Sequence, residues 1–280
     1  MNDAYAHCEA VVRAADKDRF VASLFAPAGV RKYLYALYAF NGEVSRVREL
    51  AREALPGEIR LQWWRDVLAG EGRGEVDANP IAAALRDTVA VRGLPPALLV
   101  RLVDAHTFDL YDDAMATLAD LDAYGRDTDG VLMTLAARIL AGPAEATTAA
   151  ADAGGIASAA AQRLRSFSID LARRQLFVPL AVLERHGVSR ADVEAHRNSD
   201  GLRAALADMR SHAAAAFDAF RSAAADIPVA GAPAFLAAAV VPGWLARLAR
   251  AGRDPFAPVE LAPWRRQWII WRAARRWPRL

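Results

Sequence analysis

The chain has 280 residues, 54% of them apolar, which is enough to bury a core and excludes disordered, collagen-like and coiled-coil rod proteins. Its formal net charge is only +2, from 35 basic and 33 acidic residues, so no overall field attracts nucleic acid, and we expect no nucleic acid partner. The single cysteine, Cys8, excludes an internal disulfide and favours a reducing, cytoplasmic setting.

No secretory signal or membrane-spanning segment is predicted from this sequence. The first twenty residues lack a long apolar core behind a basic start, so they are not typical of a secretory signal. The longest clean apolar run, Phe235 to Pro242, is far shorter than the ~20 residues that a spanning helix needs. We therefore expect a cytoplasmic protein, either free or peripheral at the inner face of the cytoplasmic membrane.

Helical periodicity dominates the whole chain. Alanine is abundant, and apolar residues recur at spacings of three and four almost throughout, without a convincing alternating strand. Glycine and proline interrupt this pattern often enough to predict about eight to ten helices joined by short loops. The small residues of Ala146 to Gln162 predict a helix that packs closely at the centre of a bundle.

Four blocks carry a resemblance to a known family. They are FVASLFAPAGVRKYLYALYAF at Phe20 to Phe40, LQWWRDVL at Leu61 to Leu68, YGRDTDGVLM at Tyr124 to Met133, and the long block from Ala159 to Val188. In this order they resemble the squalene/phytoene synthase family, which joins two prenyl diphosphates head to head. The resemblance implies an all-α, isoprenoid-synthase-like bundle with a central cavity, here over residues 1–262, followed by a basic helix over residues 263–280.

The aspartate motifs of that family are eroded in this sequence. Family members hold Mg²⁺ on two aspartate-rich motifs that face each other, because Mg²⁺ prefers oxygen ligands. At the first motif Ser45 and Arg46 replace acids and Glu49 remains; at the second Ser166 replaces one acid and Asp170 remains. Glu49 and Asp170 are therefore the residual catalytic or metal-binding candidates, with Mg²⁺ as the cofactor only if activity survives.

The prenyl tunnel of the family also looks altered. By resemblance its lining includes Thr128, Asp129 and Met133, where Asp129 stands at an alanine position and Met133 at a glycine position. A carboxylate and a thioether would narrow and polarise the tunnel.

Several polar residues at or next to family positions could still bind an anion such as a prenyl diphosphate. The candidate ligand-binding residues are Arg31, Tyr38, Gln162 and Arg165. Arginine suits phosphate and carboxylate because its fork can donate two parallel hydrogen bonds. The alternative is that these arginines, together with Arg173 and Arg174, pair with Glu43, Glu49 and Asp170 in a buried polar seam.

Two other clusters are interpreted as structural. Asp104, His106 and Asp109 share a predicted helix, and we expect them on a solvated face rather than around a metal. Trp63 and Trp64 are expected to pack in the core.

The last segment, Trp264 to Leu280, contains six arginines, four tryptophans and no acid. This pattern is typical of an interfacial helix on an anionic membrane, or of a helix docked on its own domain with a basic rim. The candidate membrane or partner residues are Trp264, Arg265, Trp268, Trp271 and Arg272.

Two functions follow from the resemblance. The AFN sequence at Ala39 to Asn41, the Gln-Trp-Trp-Arg block, the eroded aspartate motifs and the Phe-Leu/Pro-rich carboxy-terminal third resemble a diverged alphaproteobacterial and mitochondrial branch of the family. The mitochondrial members of that branch resemble assembly factors of respiratory complex I. The first hypothesis is therefore a non-catalytic, membrane-peripheral assembly factor that contacts a respiratory-complex subunit. The second is an active prenyl transferase, acting on farnesyl or geranylgeranyl diphosphate in isoprenoid biosynthesis, with an altered metal site.

Overall fold

The computed structural model describes residues 1–51, 53–72, 76–143, 146–250 and 252–279, and the described chain is helical without a named strand. Nine of its helices have ten or more residues, which agrees with the expected eight to ten helices of ordinary length. These nine are α1 (Asn2–Ala15), α3 (Ala28–Ser45), α5 (Ala54–Ala69), α6 (Pro80–Arg92), α7 (Pro96–Ala105), α9 (Val131–Ala141), α10 (Ala146–Arg165), α14 (Asp200–Ala223) and α16 (Pro263–Arg276).

Seven shorter helices complete the numbering, and the sequence pattern did not predict them. They are α2 (Lys17–Ser23), α4 (Val47–Leu50), α8 (Leu118–Gly125), α11 (Phe167–Ala172), α12 (Leu180–Arg185), α13 (Arg190–Glu194) and α15 (Val241–Leu248). Some of these short helices begin at positions where the sequence has no glycine or proline to mark a boundary. At α2, for example, the Asp16 side chain accepts a hydrogen bond from the Arg19 amide at 3.0 Å and so caps a new helix directly after α1.

The small-residue helix α10 lies at the centre of the bundle, as predicted. It packs against α8, α9 and α14, and against the single π-helical turn Arg126–Gly130 that joins α8 to α9. A Cβ atom built on Gly155 would lie 2.5 Å from the Gly130 amide nitrogen and 2.6 Å from the Gly125 carbonyl oxygen. The two backbones touch at this point, so only glycine fits there.

The core contains the tryptophan pair, as expected, and also the cysteine. Trp64 is buried and its ring packs edge-on against Phe40, with centroids 4.9 Å apart, while Trp63 is half-buried beside it. The only cysteine, Cys8, is fully buried on α1.

Cys8 gives a direct test of this packing. Burial raises the pKa of its thiol to about 12, so almost no reactive thiolate forms at mildly alkaline pH. We expect the native protein to resist a thiol-reactive disulfide reagent and the denatured chain to release one equivalent of product at once. Rapid reaction of the native protein would contradict the placement of α1 in the core.

The carboxy-terminal helix α16 packs against α2 and the 3₁₀ segment Leu236–Val240. Ile270 and Ala273 are buried, and the Arg266 guanidinium donates to the Asp18 carboxylate at 2.9 Å. Within the described residues no helix is long and apolar enough to cross a membrane.

Candidate functional site

A central cavity of about 530 Å³ lies between α1, α2, α3, α10, α11 and the π-helical turn. Both eroded motifs line this cavity, through Glu49 on α4 and Asp170 on α11. Eight of the candidate catalytic, ligand-binding and tunnel-lining residues meet here: Tyr38, Glu49, Thr128, Asp129, Met133, Gln162, Arg165 and Asp170.

Arg31 is not among the residues that line this cavity. Its guanidinium donates to the Ala26 carbonyl at 2.9 Å and to the Leu24 carbonyl at 2.8 Å. The side chain therefore stabilises the connection between α2 and α3, and the structure does not bring it to the other ligand-binding candidates.

The two residual motif acids already have partners. Glu49 pairs with Arg173 at 3.1 Å. Asp170 accepts a hydrogen bond from the Ser166 hydroxyl at 2.6 Å and lies 3.6 Å from the Arg163 guanidinium. Burial raises the pKa of Asp170, and both partners partly offset that rise. The pairing considered from sequence is confirmed for Arg173 with Glu49. Asp170 pairs instead with Arg163, and among the described residues neither Arg31 nor Arg165 forms an ion pair with an acid.

A third ion-pair cluster crosses the cavity at Arg19. Its guanidinium donates to the Asp16 carboxylate at 2.7 Å and also binds Asp129 of the π-helical turn. The same guanidinium lies 5.8 Å from the centre of the Tyr38 ring. Asp129 thus lines the cavity while it forms a salt bridge to Arg19 of α2. The family resemblance implies a small apolar residue at this position.

His106 and Asp109 are buried, so the expectation of a solvated helix face is wrong for both. Their exposed fractions are 3% and 5%, and His106 Nδ1 lies 2.7 Å from an Asp109 carboxylate oxygen. The Tyr124 hydroxyl donates to the same carboxylate at 3.0 Å. Burial, with Asp109 as a second cause, raises the pKa of Tyr124 well above its usual value, which keeps the phenol a donor.

This buried triad was missed because helix α7 ends at Ala105, one residue before His106. The chain then turns inward through the short 3₁₀ segment Phe108–Leu110, which aims Asp109 at the cavity. Asp104, still on the helix, is exposed and pairs with Arg65 at 2.7 Å, as a solvated face predicts.

Two cavity arginines have no acidic partner among the described residues. Arg46 donates to the Gly42 carbonyl at 3.0 Å. Arg165 donates to the Gln162 side-chain oxygen at 2.7 Å and stacks over the Trp244 ring at 4.7 Å. Burial lowers the pKa of Arg165, which is the effect expected for a cation lacking an adjacent carboxylate. These two side chains could hold an anion.

The donor set of the cavity does not fit a cluster of divalent cations. Nowhere in the described chain do three or more His, Cys, Asp or Glu side chains converge in a geometry able to hold a metal ion. The carboxylates that line the cavity face arginine, tyrosine, serine or histidine instead.

The outer face of α16 carries the tryptophans and arginines singled out in the tail. Trp264, Trp268 and Trp271 are exposed by 64%, 55% and 41%. Arg265 and Arg272 are also exposed, and Leu280, at the end of the segment, lies outside the described residues.

Comparisons with known proteins find relatives along most of this chain. The chain is 28% identical over 256 residues to "NADH dehydrogenase (ubiquinone) complex I, assembly factor 6" of Rattus norvegicus, covering 91% of this chain and 77% of the relative. It is 28% identical over 268 residues to a phytoene synthase of Thermus thermophilus, covering 93% and 89% of the two chains.

Among solved structures, squalene synthase HpnC from Alicyclobacillus acidocaldarius superposes with a TM-score of 0.75 at 27% identity, covering 92% of this chain and 96% of that one. A dehydrosqualene synthase superposes with a TM-score of 0.80 at 15% identity, which shows the shared fold alone. The family model for squalene/phytoene synthase matches residues 12–272, nearly the whole described bundle. The chain therefore belongs to the squalene/phytoene synthase family.

Proposed function

We propose that this protein is a non-catalytic assembly factor for respiratory complex I, built on a prenyl synthase scaffold. Relatives that match along nine-tenths of the chain carry the name of a complex I assembly factor. The observation that carries the non-catalytic part is the pairing of Glu49 with Arg173 and of Asp170 with Ser166 and Arg163.

This pairing opposes metal-dependent chemistry for an electrostatic reason. A carboxylate that faces a guanidinium has its charge compensated, and the nearby arginine repels a divalent cation. Arg46 adds a further positive charge at a position where the family resemblance implies an acid. The cavity is therefore better suited to hold an anion directly on arginine than to hold it through Mg²⁺.

Complex I assembly in cells that encode this protein tests the proposal. Deleting the gene should reduce both fully assembled complex I on native gels and the NADH:ubiquinone activity of membranes. The wild-type gene and a Glu49→Gln variant should restore both equally, because a half-exposed acid outside any metal site is dispensable. Normal complex I after deletion would overturn the proposal, and failure of Glu49→Gln alone would point to a working metal site.

A prenyl transferase remains the second candidate function. The 27–28% identity to a squalene synthase and a phytoene synthase favours it. In either case we propose that the cavity accepts a prenyl diphosphate-like anion through Arg165, oriented by Gln162 and Tyr38, with Mg²⁺ required only if turnover occurs.

We place the protein in the cytoplasm, peripheral to the inner face of the cytoplasmic membrane. The support is the exposed tryptophan and arginine face of α16, together with the relatives' role in assembling a ubiquinone-linked complex.

A further inference from the structure

The outer face of α16 exposes aromatic surface that a water-facing helix does not need. Trp264, Trp268 and Trp271 all point away from the core, and the last two stack with ring centroids 4.8 Å apart. Large apolar patches on a protein surface mark places where another surface binds. Tryptophan in particular concentrates at the headgroup level of bilayers, where its ring is buried and its N–H stays hydrated.

Arginines that have no acidic partner in the described part of the chain lie beside these tryptophans. Among the described residues none of the following five forms an ion pair with a carboxylate: Arg265, Arg272, Arg275, Arg276 and Arg279. The sixth arginine of the segment, Arg266, differs because it points inward and pairs with Asp18 at 2.8 Å. The positive charge is therefore confined to the side of the helix that faces away from the core.

A groove of about 1020 Å³ runs beside this face, between α14, α15 and α16. Its apolar floor includes Phe217, Ile269 and Trp277, and Arg272 and Arg276 stand among its lining residues. An apolar floor beside guanidiniums matches a phospholipid, which carries a phosphate next to hydrocarbon.

We propose that the outer face of α16 and this groove dock on an anionic phospholipid bilayer, with the tryptophans at the interface and the arginines on lipid phosphates. An amphipathic helix of this kind lies in the plane of the membrane surface. The proposal rests on the peripheral location given above and assigns it to named residues. A bilayer is favoured over an acidic protein because the exposed aromatic residues are tryptophans, which concentrate at the headgroup level, and the arginines lie beside them.

Helix α16 stays packed on the rest of the bundle when it docks on the bilayer. Ile270 and Ala273 remain buried against the core, and Arg266 remains bound to Asp18. The bundle therefore approaches the membrane as a rigid body, and its helix content should not change on binding.

Co-sedimentation with lipid vesicles tests the assignment on the full chain. Wild type should bind vesicles of phosphatidylcholine mixed with phosphatidylglycerol, should bind pure phosphatidylcholine far less, and should dissociate as salt rises. The variant Arg272→Gln/Arg275→Gln/Arg276→Gln should bind the anionic vesicles about a hundredfold less tightly, since each arginine near such a surface contributes about fivefold.

A matched control removes three exposed arginines elsewhere: Arg185→Gln/Arg197→Gln/Arg203→Gln. Arg203 lies in the first turn of α14, 18 residues before Arg221, which lines the groove, so a straight helix places the two roughly 27 Å apart. The control has the same net charge as the α16 variant and should bind like wild type. Equal losses in both variants would mean that only net charge matters and would overturn the proposal.

Tryptophan fluorescence supplies a second readout. Lipids brominated near the headgroup should quench the wild-type emission, and most of that quenching should vanish in Trp264→Phe/Trp268→Phe/Trp271→Phe. Unchanged quenching in this variant, or no binding to anionic vesicles at low salt, would refute the assignment. Neither result depends on complex I, so the vesicle test can fail while the assembly role stands, and the reverse also holds.

Discussion

Purified protein incubated with Mg²⁺ and farnesyl or geranylgeranyl diphosphate should release no pyrophosphate and form no hydrocarbon above background. Ionisation of a prenyl diphosphate requires metal ions to take up the charge of the leaving group. Here Glu49 and Asp170 are bound to arginines, and Ser45, Arg46 and Ser166 stand where the family resemblance implies acids.

The expected size of the loss is large. Removal of one electrostatic contact to a transition state typically costs ~3–4 kcal/mol, a hundredfold to a thousandfold in rate. At least two such contacts are missing, and because ligands of one metal cluster act together, their losses do not simply multiply. A single loss of this size would already leave little activity.

An active phytoene synthase assayed in parallel is the positive control, and mass analysis of the extracted products is the measurement. Turnover at an ordinary enzymatic rate that Asp170→Ala abolishes would contradict the non-catalytic proposal and favour the prenyl transferase. Binding of inorganic pyrophosphate without Mg²⁺ would not contradict it, since Arg46 and Arg165 lack acidic partners in the described chain.

The large-scale features of the fold could be predicted from sequence because they depend on local patterns. Helical periodicity predicts the nine long helices, and the small residues of α10 predict its central position. The order of the family blocks predicts that Glu49 and Asp170 share one cavity, which the structure shows.

Most ion pairs of the cavity could not be predicted because they join residues distant in sequence. Arg19, for example, reaches Asp129 across 110 positions. The pair of Arg173 with Glu49 is the exception, since it was one of the alternatives that the sequence left open. His106 and Asp109 were misjudged for another reason: a helix pattern continued through them, whereas α7 ends at Ala105 and the chain turns inward. A buried polar group is visible in a sequence only after its partner is known.

Replacing Gly155 by alanine should lower the free energy of unfolding. Overpacking of a core typically costs about 1–3 kcal/mol, and we expect a loss near the upper end of that range. The added methyl group would lie 2.5 Å from the Gly130 amide nitrogen and 2.7 Å from the Gly130 Cα. Both are backbone atoms of the π-helical turn, which no side-chain rotation can move aside, so α10 and the turn must separate.

Gly42→Ala is the matched control, because Gly42 also lies inside a long helix, α3, and a Cβ there would meet nothing within 4 Å. Alanine is favoured over glycine in a helix interior by roughly 0.8–1 kcal/mol, so this variant should be slightly more stable than wild type. Urea unfolding followed by circular dichroism compares the two. Opposite shifts of the midpoint are expected, and equal stability of Gly155→Ala and wild type would mean that the two backbones do not touch.

Because the π-helical turn also carries Asp129, separation at Gly155 should loosen the pair between Asp129 and Arg19 and thereby widen the cavity.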